Sequence, residues 1–141
     1  MSSFLVFIIK WAFGNSRKVF GTTIHELAHA SHWEIGYSTG QYVVDWIFGD
    51  PRLPESWAVG VEWRITNDVY SGYGIYNNRY QQRTISQIVE EDEGYTPLVI
   101  DLIDTNNQRI SYGGNINYPN DQVENYTLSQ LENALPSIFG S

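Results

Sequence analysis

The sequence predicts one α+β domain that is mostly α, and three observations carry that expectation. Stretches with apolar or small residues at helical spacing, bounded by capping and stopping residues, recur along the chain. One short apolar run, Phe4 to Ile9, has the length and composition of a buried strand. The chain has 141 residues, 42% hydrophobic and 15% aromatic, which suits a single domain with its own core and no need of disulfides. The expected domain is 1–141, either a minimal domain or a piece of a larger protein.

The elements follow in order. Phe4 to Ile9 is far short of the ~20 residues that span a bilayer. No basic residue precedes it and no small-residue cleavage site follows, so it reads as neither a membrane span nor a secretory signal. It leads into a first helix over about 16–34, capped by Asn15 or Ser16, with apolar or small residues at Val19, Phe20, Ile24, Leu27, Ala28 and Ala30 and a stop at Gly36. "STGQYVVDWIF" predicts a short second helix ending at Gly49, after which "GDPRLP" breaks the chain. "PESWAVGVEWRITNDVY" predicts a third helix, with Pro54 suited to its first turn, Glu55 near its positive end, and a stop before Gly72. "RTISQIVEEDEG" and "PLVIDLIDTNN" are shorter helical candidates, the second equally readable as a strand. Thr127 and Gln130 form a capping box that opens a last amphipathic helix, interrupted near Pro136.

Charge and cysteine usage exclude several functions. Eight Lys and Arg against sixteen Asp and Glu give a net charge of −8, and the basic residues form no patch beyond the pair Arg17 and Lys18. Nucleic acid is therefore not the expected partner. Cysteine is absent, which removes thiolate zinc sites and cysteine nucleophiles together. Any metal must be held by histidine and carboxylate.

All three histidines fall in "TTIHELAHASHWEIG", residues 22 to 36. His25-Glu26-Leu27-Ala28-His29 has the form H-E-x-x-H. At 3.6 residues per turn His25 and His29 share a face about 6 Å apart along the axis, so their rings can converge on one ion. Glu26 is angled beside them, where it can touch a metal-bound water without being a ligand. His32 shares the face, but seven residues at 1.5 Å put it about 10 Å from His25, whereas ligands of one zinc lie within about 4 Å of each other. It is expected to support or pack against the site rather than to ligate. The metzincin pattern fails, because His32 and Ile35 stand where it needs a glycine and a histidine. With no other histidine and no cysteine, the third ligand is expected to be a carboxylate.

"ESWAVGVEW", residues 55 to 63, resembles the glutamate-helix motif of the aminopeptidase-type gluzincins, where Glu-Gly-Phe-Ala is followed by two variable residues and Val-Glu-Tyr. The resemblance covers His25 to about Trp63, roughly a quarter of the chain. It implies a zincin-like fold with an active-site helix and a glutamate helix, a zinc cofactor, and Glu55 as third ligand. The connection from His29 to Glu55 is several residues longer than the family's. Val59 stands where thermolysin-like enzymes place an acid that orients a histidine, and Glu62, two turns from Glu55 on the same face, is the nearest substitute. Gluzincins bind substrate along an edge strand before the active-site helix, and only Phe4 to Ile9 could supply one.

The resemblance thus implies zinc-dependent hydrolysis of peptides or proteins outside the cytoplasm. Glu26 is the general base, and a tyrosine supports the oxyanion. Tyr112, Tyr118 and Tyr126 lie on or beside the glycine-bearing loop "SYGGNINYPNDQVENYT", and Tyr126 is the preferred candidate. Two other classes stay open: a degenerate zincin that holds metal or a partner without turnover, and a plain helical interaction domain.

Overall fold

A computed structural model of the protein describes residues 16–36, 52–73, 84–86 and 95–139. Its helices are α1 (Ser16–Gly36), α2 (Arg52–Val69), α3 (Leu98–Ile103), α4 (Gln108–Ser111) and α5 (Leu128–Phe139). The described part is mostly helical and contains no strand. The strand expected at Phe4 to Ile9, the short helix before Gly49 and most of the candidate over 83–94 lie outside the described residues.

The first predicted helix is α1, which ends at Gly36 as expected. The third is α2, which begins two residues before Pro54. The proline thus stays in the first turn, where its missing N–H leaves no bond unmade. Beyond Val69 the chain turns through Gly72, whose φ of 78° suits glycine.

Helix α2 is the centre of the molecule. Ser56 to Trp63 is buried without a break, as expected of a helix covered on several sides rather than along one stripe. Helix α1 packs along one side of it, α3 packs against another, and α5 leans on α1. The ring of Phe20 meets Tyr70 at 5.6 Å between centroids, and that of His32 lies 6.4 Å from Trp57. Residues late in α2 thus face residues early in α1, so the two helices are antiparallel. The core joins Ala28 of α1, Trp57, Ala58, Val59, Val61 and Trp63 of α2, and Val99, Ile100 and Ile103 of α3.

The ambiguous stretch "PLVIDLIDTNN" resolves as α3, a helix of six residues. It sits on the backbone of α2 at Gly60, where a Cβ would lie 2.6 Å from Cβ of Val99 and closer still to its Cγ1. The backbone N–H of Thr96 donates to Oγ of Ser56 at 2.7 Å, which ties the chain leading into α3 to α2. The turn α4 was not foreseen in the sequence. Asn107 caps it by accepting from the N–H of Ile110, and the fully buried Gln108 donates its amide to the Asp101 carboxylate. Burial pushes Asp101 up to about 7, against the lowering effect of that bond.

The capping box of α5 forms as expected: Thr127 Oγ1 accepts from the N–H of Gln130 at 3.2 Å, and Gln130 Oε1 accepts from the N–H of Thr127 at 2.9 Å. The interruption expected near Pro136 does not occur, since α5 continues to Phe139. A proline removes one N–H and can be carried within a helix that bends around it.

Because α3 rests on Gly60, Gly60→Ala should destabilise the fold by ~1–3 kcal/mol, the range for overpacking, instead of the small gain alanine gives at an open helix position. A denaturant midpoint equal to or above the parent's would show that α3 does not press on Gly60.

Candidate metal centre

The antiparallel pairing of α1 and α2 brings His25, His29 and Glu55 together. His25 and His29 stand one turn apart on α1, and Glu55 reaches them from the first turn of α2. Nε2 of His25 lies 3.2 Å from Nε2 of His29. The Glu55 carboxylate spans both rings, with Oε2 3.6 Å from Nε2 of His25 and Oε1 3.4 Å from Nε2 of His29. These three separations can be compared with the size of a zinc site. Donors bound at ~2.0–2.1 Å in a tetrahedron lie about 3.3–3.4 Å from one another. The two Glu55 separations involve different oxygens. With one ligand atom from each residue the three lie within 4.8 Å of one another, so the residues present fit a zinc ion with three protein donors once the Glu55 carboxylate turns a single oxygen towards it. Among the described residues this is the cluster of histidine and acidic groups that can hold a metal.

A second acid acts on the other side of the His25 ring. Glu62 is 2% exposed, and its Oε2 lies 3.2 Å from Nδ1 of His25. Its Oε1 accepts from the hydroxyl of Tyr73 at 2.8 Å. A bond from Nδ1–H to Glu62 leaves Nε2 to face Glu55 and His29, which is the tautomer a ligating histidine needs.

Electrostatics make His25 and His29 unlike. Burial disfavours charge on His25, but the hydrogen bonds and charges of Glu55 and Glu62 outweigh it and raise its pKa to about 9. Burial lowers that of His29 and the charge of His25 adds to this, against the raising effect of Glu55 and Glu26. At neutral pH His25 is therefore the protonated ring of the pair, its charge balanced by Glu55 and Glu62.

The other expected site residues are distributed as follows. His32 is 1% exposed, lies in the core beside Trp57 and is not part of the triad, as the rise of the helix required. Glu26 is exposed at the rim, where its charge acts on His29. Tyr126 is not brought to the triad. It lines a cavity of about 440 Å³ with Arg64, Asp68, Ile103 and Leu128. Arg64 follows Glu55 by nine residues, about 14 Å along α2. The backbone N–H of Tyr126 donates to the carbonyl of Leu102, which ties this stretch to the end of α3. Two residues at the site were missed in the sequence, Tyr73 and Gly21. The available signal was a glycine inside a helix, one turn before His25, which costs ~1 kcal/mol against alanine and so marks a packing reason.

No family model, curated protein or solved structure matches the chain.

The raised pKa of His25 fixes the pH dependence of metal binding. Below about 9 a proton competes with the ion for this ring, while His29 is already neutral. The apparent zinc association constant should rise ~10-fold per pH unit between about pH 6.5 and 9 and level off above, with about one proton released per ion at neutral pH. Calorimetry in buffers of different ionisation enthalpy measures both. A flat profile with no proton release would remove His25 from the ligand set.

Proposed function

We propose that the protein is a small zinc peptidase of the gluzincin type, built on a zincin-like arrangement of an active-site helix and a glutamate helix. The observation that carries this reading is the convergence of His25, His29 and Glu55, whose ligand atoms, one from each residue, all lie within 4.8 Å of one another. The order His25-Glu26-x-x-His29 followed by Glu55 supports it, as does the antiparallel packing of the two helices that carry these residues.

Zinc held by His25, His29 and Glu55 would lower the pKa of a bound water towards ~7 and polarise a carbonyl oxygen. The chain's own groups supply the rest. His25 and His29 contribute neutral nitrogens and Glu55 one negative charge, so the ligands alone would leave the ion one positive charge to polarise a carbonyl, which the Glu62 carboxylate behind His25 offsets from the far side of the ring. Glu26 is next to His25 in sequence and exposed at the rim, where it can take the proton from the attacking water and return it to the leaving amine. Glu62 keeps the His25 ring oriented. The substrate class is peptide or protein, and the net charge of −8 steers basic substrates towards the protein, neutral ones being neither attracted nor repelled.

A second reading is a degenerate zincin that holds the ion without turnover. It is favoured by one observation: Tyr126, the tyrosine expected to support the oxyanion, lies beside Arg64 and Asp68 instead.

Glu26→Gln separates the two. The variant should keep the fold and the zinc, while cleavage of any peptide the parent cuts falls ~10²–10⁴-fold, the usual effect of removing a positioned acid–base group. Cleavage that survives this change, or that survives chelation of the zinc, would contradict the assignment.

A further inference from the structure

The Glu62 carboxylate has a second partner whose placement needs three separate features of the fold. Tyr73 follows α2 by four residues, beyond the turn at Gly72 with its φ of 78°. The side chain of Asn67 closes that turn, donating to the carbonyl of Trp63 at 2.7 Å and to the carbonyl of Tyr73 at 2.9 Å. The phenol then enters between α1 and α2 and donates to Oε1 of Glu62 at 2.8 Å. It has room because position 21 is glycine. A Cβ there would lie 2.8 Å from Cζ of Tyr73, closer still to its hydroxyl, and 3.0 Å from Oε1 of Glu62.

Glycine inside a helix lowers stability, so its use at this position calls for a reason. Among the described residues, the nearest neighbours a methyl group would meet are Tyr73 and Glu62. A carboxylate as buried as that of Glu62 needs donors on both oxygens if it is to hold one orientation. His25 supplies one and Tyr73 the other. The bond from the phenol thus bears on the same carboxylate that orients the His25 ring.

We propose that Tyr73 is a positioning residue of the metal centre: its hydroxyl, admitted through the gap at Gly21, fixes the Glu62 carboxylate and through it the ring of His25. The proposal rests on the reading of His25, His29 and Glu55 as zinc ligands, and its local geometry is open to test without the ion. Tyr73 acts on the site through Glu62. Its effect is on how well His25 is presented.

The test compares the full chain with Tyr73→Phe, Gly21→Ala and Glu62→Gln. Zinc affinity is read by competition with a chromogenic chelator, stability by denaturant midpoint, and the His25 Nδ1 proton by its downfield resonance in the zinc-free protein. Tyr73→Phe keeps the ring and removes only the O–H. Zinc binding should weaken ~10–100-fold, the range for groups that orient a ligand. Gly21→Ala should weaken it comparably, by displacing the phenol. Adding Tyr73→Phe to Glu62→Gln should cost little more than Glu62→Gln alone, because the two act through one contact. The Nδ1 proton signal should be sharp in the parent and broadened or lost in Tyr73→Phe. A lowered midpoint with unchanged affinity and an unchanged proton signal would make Tyr73 a packing residue and overturn the proposal. If the parent binds no zinc, the ligand reading falls by itself, and the proton signal still decides for or against Tyr73.

Discussion

His25 is held between two carboxylates that reach it from the neighbouring helix two turns apart, Glu62 at Nδ1 and Glu55 towards Nε2. This grip depends on the register of α1 against α2. Sliding α1 by one residue would turn it by ~100° and carry both histidines off the shared face. The register is fixed at both ends, by Phe20 on Tyr70 and by His32 beside Trp57, and α2 is held from its other side by α3 resting on Gly60. The long uninterrupted burial of α2 therefore has a consequence at the site. A helix packed on several sides cannot rotate to relieve the crowding of two acids and two imidazoles.

That crowding gives the site its electrostatic character. The side chain of Glu62 is 3% exposed and that of Glu55 28%, so both carboxylates are partly withdrawn from water, and buried negative charge requires a compensating cation or donors. In the metal-free chain the compensation is the proton on His25, which explains why burial and the neighbouring acids pull its pKa in opposite directions and the acids prevail. A divalent ion bound there would supply more charge at the same place and displace that proton, leaving the bond from Nδ1 to Glu62 as it is.

Much of this site was legible in the sequence, and the reasons are local. His25, Glu26 and His29 follow from helical periodicity, and the same geometry excludes His32, because 1.5 Å per residue is arithmetic that tertiary packing does not change. Glu62 follows from being two turns from Glu55 on one face. Glu55 itself came from resemblance, since no local rule says which distant carboxylate folds back on a pair of histidines. Tyr73 was invisible for the same reason: its meaning lies in a contact with Glu62 eleven residues earlier and with Gly21 on another helix. Tyr126 shows the converse. The glycines of its loop permit close approach to a cleft, but the backbone is tied to the end of α3 at Leu102 and Tyr126 lines a cavity with Arg64 and Asp68. Among the elements, α1, α2 and α5 announce themselves by caps, stops and periodicity over several turns. Helices α3 and α4 are only six and four residues long, so burial against α2 and the cap from Asn107 decide them rather than propensity.

The most direct measurement of the central claim is zinc K-edge X-ray absorption on the purified chain loaded with zinc, alongside its metal stoichiometry. Donors spaced as those of His25, His29 and Glu55 predict one ion per chain. Its first shell should hold two imidazole nitrogens and light oxygen donors at ~2.0–2.1 Å in four-fold coordination. A stoichiometry well below one, or a first shell of oxygens with no imidazole signature, would contradict the claim that these three side chains form a metal centre.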